Sequence, residues 1–109
     1  MKAIEEKLDG IIQEIACKFR CEVCGKPAVC GHHFIGRKNK LLRWFLDNII
    51  PLCLEHHTSG NFSAHLSPKA FKEYMIKKRG LEWLNKLHHE AKAYYLQCFS
   101  LRLHSSITY

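Results

Sequence analysis

A chain of 109 residues is sized for one folded domain, residues 1–109, with a core modest enough to gain from a metal staple. Seventeen Lys and Arg against ten Asp and Glu give a formal charge of +7, which points to a polyanionic partner without naming one. No apolar window of about 18 residues is present, and Met1–Lys7 holds no unbroken apolar run, so the sequence excludes a membrane-spanning helix and predicts a soluble intracellular, cytoplasmic protein with no membrane partner.

Residues 2–19 place Ile4, Leu8, Ile11, Ile12, Ile15 and Phe19 at helical spacing, which predicts a scaffold helix with one apolar stripe. Gly10 weakens it, and its acidic residues Glu5, Glu6, Asp9 and Glu14 make it a poor surface for DNA. From Cys21 the chain enters a knuckle, with Gly25 and Pro27 as turn residues, and residues 28–36 read as a short strand and turn. Arg37, Lys38, Lys40 and Arg43 follow, interleaved with Leu41, Leu42, Trp44 and Phe45. This run is read as a phosphate-contacting segment, with a solvated basic loop as the alternative and the two aromatic residues as core. Ile49–Leu52 suits a second strand, with Pro51 tolerated at its edge, and Cys53–His57 should begin a helix that Thr58-Ser59-Gly60-Asn61 keeps short or interrupts. Ser67-Pro68 restarts a helix that ends at Gly80 after Lys77-Lys78-Arg79, with Phe71, Tyr74 and Met75 facing inward. A last helix over 81–101 carries Leu84, Leu87, Ala91, Tyr95, Cys98 and Leu101 as a core stripe, His88 and His89 read as ordinary surface or boundary residues, and the tail from Ser105 is expected to fray.

Six cysteines do not read as disulfides here, because two ligand pairs, Cys21-x-x-Cys24 and Cys53-x-x-His56, have the spacing that turns four soft ligands toward one zinc ion. Cys17 and Cys98 are assigned to packing. Cys30 is read as a buried free thiol in preference to a ligand.

Cys21-x-x-Cys24-Gly25, then His32-His33-Phe34-Ile35, then Asp47-Asn48-Ile49-Ile50-Pro51-Leu52-Cys53-x-x-His56-His57, resembles the zinc-containing branch of the HNH nuclease family over roughly residues 21–61. His56 stands where that family usually has a fourth cysteine, and Asn61 where some members carry a further metal-binding histidine. The resemblance implies an α+β fold with a ββα-metal, treble-clef-like core (21–66) and structural zinc, flanked by one N-terminal helix (2–19) and two C-terminal helices (68–101). It implies that His33 is the general base and that Asn48 orients it. His32 and His57 would hold a catalytic divalent ion, Mg²⁺ or Mn²⁺, with Ni²⁺ or Zn²⁺ able to take its place. Asn61, at i+4 from His57, is the expected third ligand, with His65 as its substitute if Gly60 breaks the helix. The implied activity is metal-dependent hydrolysis of DNA phosphodiesters, RNA not being excluded. The layout is also similar to phage or prophage HNH proteins associated with recombination. The alternative is a zinc-stabilised nucleic-acid-binding module without catalysis, which leaves the joint occurrence of His32, His33, Asn48 and His57 unexplained.

Overall fold

The computed structural model describes residues 2–107, with side chains described through residue 97. It is a small α+β structure in which helices surround a two-stranded sheet: α1 (Lys2–Cys17), β1 (Cys30–His33), the short α2 (Lys40–Arg43), β2 (Ile49–Leu52), α3 (Pro68–Arg79) and α4 (Leu81–Ile107). A tight helical turn, Leu46–Asn48, leads into β2, and a wide one, Glu55–Ser59, leaves it. No described helix is long and apolar enough to cross a membrane.

The strands are antiparallel, with Cys30 opposite Leu52, Gly31 opposite Pro51, His32 opposite Ile50 and His33 opposite Ile49. Pro51 sits inside β2 without cost because its position needs no ladder donor. Gly31 turns its polar groups outward, where Gln13 of α1 pairs with both: Gly31 N–H donates to Oε1 at 2.8 Å, and Nε2 donates to the Gly31 carbonyl at 3.0 Å. The close approach of α1 to β1 depends on Gly31, since a Cβ there would lie 2.6 Å from Ile49 Cγ2 and 2.8 Å from Ala16 Cβ. Ile12, Ala16 and Ile49 make this small contact, with Trp44 against it.

The main core lies on the other side of the sheet, where Leu42, Ile50, Leu52, Phe71, Met75 and Leu87 are fully or almost fully buried. The expected stripes outrun this core at both ends. Ile4 and Ile11 of the first stripe are exposed, as is Phe19 past the end of α1, and Tyr95 of the last stripe is 61% exposed; within α1 only Ile12 and Ala16 are buried. Cys17 is exposed, contrary to its assignment to packing. His88 and His89 are surface residues, as expected. Cys98 and Leu101 lie beyond the described side chains. Of the tail, residues 105–107 continue α4 and 108–109 lie outside the described residues.

Candidate metal centres

Two clusters of ligand side chains form at the ends of the sheet's connections. In the first, the knuckle turns at Gly25, whose φ of 79° is the left-handed conformation glycine adopts freely. Backbone bonds from Cys21 N–H to the Lys26 carbonyl and from Gly25 N–H to the Cys21 carbonyl close it. Cys53 directly follows β2 and His56 stands three residues on. The Sγ atoms of Cys21, Cys24 and Cys53 and a nitrogen of His56 all lie within 4.8 Å of one another. Cys24 and Cys53 sulfurs are 3.6 Å apart, and His56 Nδ1 lies 3.3 Å from Cys53 Sγ and 3.8 Å from Cys21 Sγ. Tetrahedral zinc with bonds of about 2.3 Å to sulfur and 2.0 Å to nitrogen spaces its sulfurs about 3.8 Å apart and sulfur from nitrogen about 3.5 Å. The four donors therefore fit one metal ion such as zinc. Burial works against the Cys21 thiolate, but backbone N–H groups of Cys53, Cys24 and Val23 converge on it and bring its pKa down to about 6. The Glu55 carboxylate stands 3.9 Å from the other His56 nitrogen. Cys30 stays outside the cluster: its thiol donates to the Leu52 carbonyl, and burial pushes its pKa up to about 11.

The second cluster is His32, His57 and His65, whose nitrogens also lie within 4.8 Å of one another. His32 extends from β1 with its ring edge-on to Phe71 of α3. His57 sits in the wide turn. The turn closes with a bond from Gly60 N–H to the Glu55 carbonyl, and a Cβ at Gly60 would lie 2.7 Å from that oxygen. The chain then doubles back, Ala64 and His65 N–H bonding the carbonyls of His56 and His57. That return brings His65 Nε2 to 3.0 Å from His57 Nε2. Asn61, the expected third ligand, is exposed, its backbone carbonyl accepting from Ser67 Oγ, and His65, its expected substitute, is the residue brought beside His57. The i+4 argument required a helix continuing past Gly60, and the backbone instead turns there. Burial, and then the neighbouring imidazoles of His57, His65 and His33, hold the His32 pKa at about 4. Burial also lowers that of His57. Neutral imidazoles are the form that binds metal.

His33, adjacent to His32, borders the same cleft of about 480 Å³, together with Asp9, Gln13, Gly36 and Arg37. Its Nε2 lies 2.9 Å from the Arg43 carbonyl. A carbonyl only accepts, so Nε2 carries the hydrogen and Nδ1 keeps its lone pair. Burial lowers the His33 pKa, against the opposing effect of that hydrogen bond. Asn48 is fully buried and saturated: Oδ1 accepts from Ile35 N–H at 2.8 Å, and Nδ2 donates to the carbonyls of Ile35 and Leu42. It ties the segment after β1 to the start of β2. Its own turn is held from outside, with Arg79 and Trp83 donating to the Asp47 carbonyl and Arg79 also to that of Ile49.

The basic run is arranged differently from a free phosphate-contact segment. Arg37 and Arg43 both bond Asp9, Lys40 pairs with Glu5 at 2.8 Å, and only Lys38 of the four makes no ion pair among the described residues. Trp44 donates to Asp9 as well and packs on the α1 contact. The scaffold helix is thus also a wall of the cleft. Glu5, Asp9 and Gln13, none of them singled out as site residues above, recur every four residues on one face beside the apolar stripe. That spacing is the signal that could have found them. Asn39, buried, caps α2 and donates to the Ala91 carbonyl, a role with no sequence signal beyond its position before a short apolar pair.

Compared with models of known families, with characterised proteins and with solved structures, the chain matches none.

Proposed function

We propose that the chain is a zinc-stapled, metal-dependent endonuclease of HNH type, with a ββα-metal core, that hydrolyses DNA phosphodiester bonds. The observation that carries this reading is the convergence of three imidazoles, His32, His57 and His65, beside a fourth, His33, whose Nδ1 is uncommitted. A structural zinc needs only one cluster, and Cys21, Cys24, Cys53 and His56 supply it. The second donor set then belongs to a second ion. Two imidazole nitrogens bound to one ion at about 2.0–2.1 Å stand about 3 Å apart when their bonds are at right angles, close to the 3.0 Å between His57 and His65. Three imidazoles suit Mn²⁺, Ni²⁺ or Zn²⁺ better than Mg²⁺, which prefers oxygen. The chemistry such an ion supplies is positive charge against the phosphate oxygens and the departing 3′ oxygen.

The chain's own residues supply the rest. His33 Nδ1 accepts a proton from water as the water oxygen bonds to phosphorus and the P–O3′ bond breaks. The products are a 5′-phosphate and, once the 3′ oxygen has taken a proton, a 3′-hydroxyl. The Arg43 carbonyl fixes the tautomer that leaves Nδ1 basic, and Asn48 holds the segment that carries that carbonyl. Plasmid nicking measured against divalent-ion concentration tests the assignment. His33→Ala should keep its metal and lose about two to four orders of magnitude in rate, the usual contribution of a general base. His32→Ala should be partly rescued by more ion, because a lost ligand lowers occupancy first. Full-rate cleavage by His33→Ala would remove the mechanism. No cleavage of any DNA by metal-loaded wild type would leave the non-catalytic zinc module.

A further inference from the structure

The two sides of the histidine cleft differ in how their cations are engaged. On the α1 side, Arg37, Lys40 and Arg43 already face the carboxylates of Asp9 and Glu5. A phosphate arriving there must displace a bound carboxylate and then sit beside its charge, so little counterion release is left to drive binding. On the other side, the chain leaves His65 and within three residues enters α3, where Lys69 and Lys72 stand exposed at i, i+3 on one face. Neither makes an ion pair or a hydrogen bond among the described residues. Further along α3, Lys78 and Arg79 are taken up by Glu22. Between these two lysines in sequence, Phe71 is fully buried and lays its ring against His32, centroids 5.7 Å apart, which sets the first turns of α3 beside the strand residue that enters the cleft.

We propose that the nucleic-acid backbone tracks along the start of α3, with phosphates on Lys69 and Lys72, instead of along the 37–43 run. This rests on the nuclease reading above. The 37–43 run is then a clamp between α1 and the segment after β1, in which Arg37, Lys40 and Arg43 are structural and Lys38 alone is left without an ion pair among the described residues.

The test is binding of the full chain, with no divalent ion added, to a duplex and to a single strand of equal length, followed by fluorescence anisotropy over a range of salt concentrations. The Lys69→Ala/Lys72→Ala variant is compared with Lys2→Ala/Lys7→Ala, which removes the same charge from exposed positions of α1. The slope of log affinity against log salt should become shallower by about 1.8 on duplex for the α3 variant, two contacts at about 0.9 each, and stay unchanged in the α1 variant. An unchanged slope in the α3 variant, or the same loss in both, overturns the proposal while wild-type binding keeps the nuclease reading. Failure of wild type to bind either nucleic acid at low salt overturns that reading and this one with it.

Discussion

Asp9 accepts from three side chains, Arg37 at 2.7 Å, Arg43 at 2.9 Å and the Trp44 indole at 2.9 Å. The Arg43 hydrogen bond is the largest influence on it and, against partial burial, holds its pKa at about 2, below the ordinary 3.8. A carboxyl whose pKa falls on folding stabilises the fold above its unfolded value, and that share disappears only as pH drops from about 3.8 through about 2. Asp9→Asn should therefore lower stability by about 1–3 kcal/mol in urea titrations, the cost of breaking charged hydrogen bonds that leave Arg43 half-buried without its partner. The gap to wild type should stay level between pH 8 and 5. A gap that closes within that range would mean another group carries the effect. At this scale the sequence was legible where spacing alone gathers candidate ligands, as for Cys21, Cys24, Cys53 and His56, and left two answers open where the set depends on backbone direction, Asn61 or, if Gly60 breaks the helix, His65. His65 is eight residues from His57, and only the reversal after Gly60 makes them neighbours.

Elements were legible where periodicity and caps agree. Ser67-Pro68 and Gly80 bracket α3 as expected, Gly80 with φ of 96°, and Ile49–Leu52 is β2. What periodicity does not carry is how far an element lies from its neighbour. At Gly31 that distance is set by a missing side chain. Gly31→Ala should cost about 1–3 kcal/mol by overpacking against Ile49 and Ala16, and Ile49→Ala in the same chain should return part of it, because the contact at 2.6 Å is to a side chain that can be removed. Urea denaturation of the two single variants and the double closes that cycle, and strict additivity would show that the clash is absent. Gly60 differs, since its Cβ would meet backbone. Gly60→Ala should open the wide turn, move His65 from His57 and weaken Ni²⁺ or Mn²⁺ binding in calorimetric titration, while zinc content by elemental analysis stays at one per chain. Unaltered titration would mean that the return segment does not depend on this turn.

Across the whole molecule the two candidate metal clusters are joined in sequence, His56 belonging to one and His57 to the other. Their energetic weights are unequal. A structural zinc contributes about 10–16 kcal/mol in small domains, as much as the whole net stability of about 5–15 kcal/mol. An ion at the histidine cluster adds only about 2.7 kcal/mol when present at 100 times its Kd. Linkage between the sites is reciprocal, but its visible consequences should run one way. Cys24→Ser removes one donor of the proposed zinc site, which should free the knuckle from β2, and the stretch that carries His57 and doubles back to His65 should then lose its anchor at His56. Both metals should be lost and the cooperative melt abolished. His65→Ala should keep one tightly held zinc through mild chelation and keep a cooperative melt, yet lose the rise in Tm that wild type shows on adding Mn²⁺ or Ni²⁺. Elemental analysis beside thermal melts with and without added ion decides the order. A Cys24→Ser protein that melts cooperatively and still responds to Mn²⁺ would mean that the histidine cluster, with the core of Ile50, Leu52, Phe71 and Met75 behind it, holds its shape without the zinc.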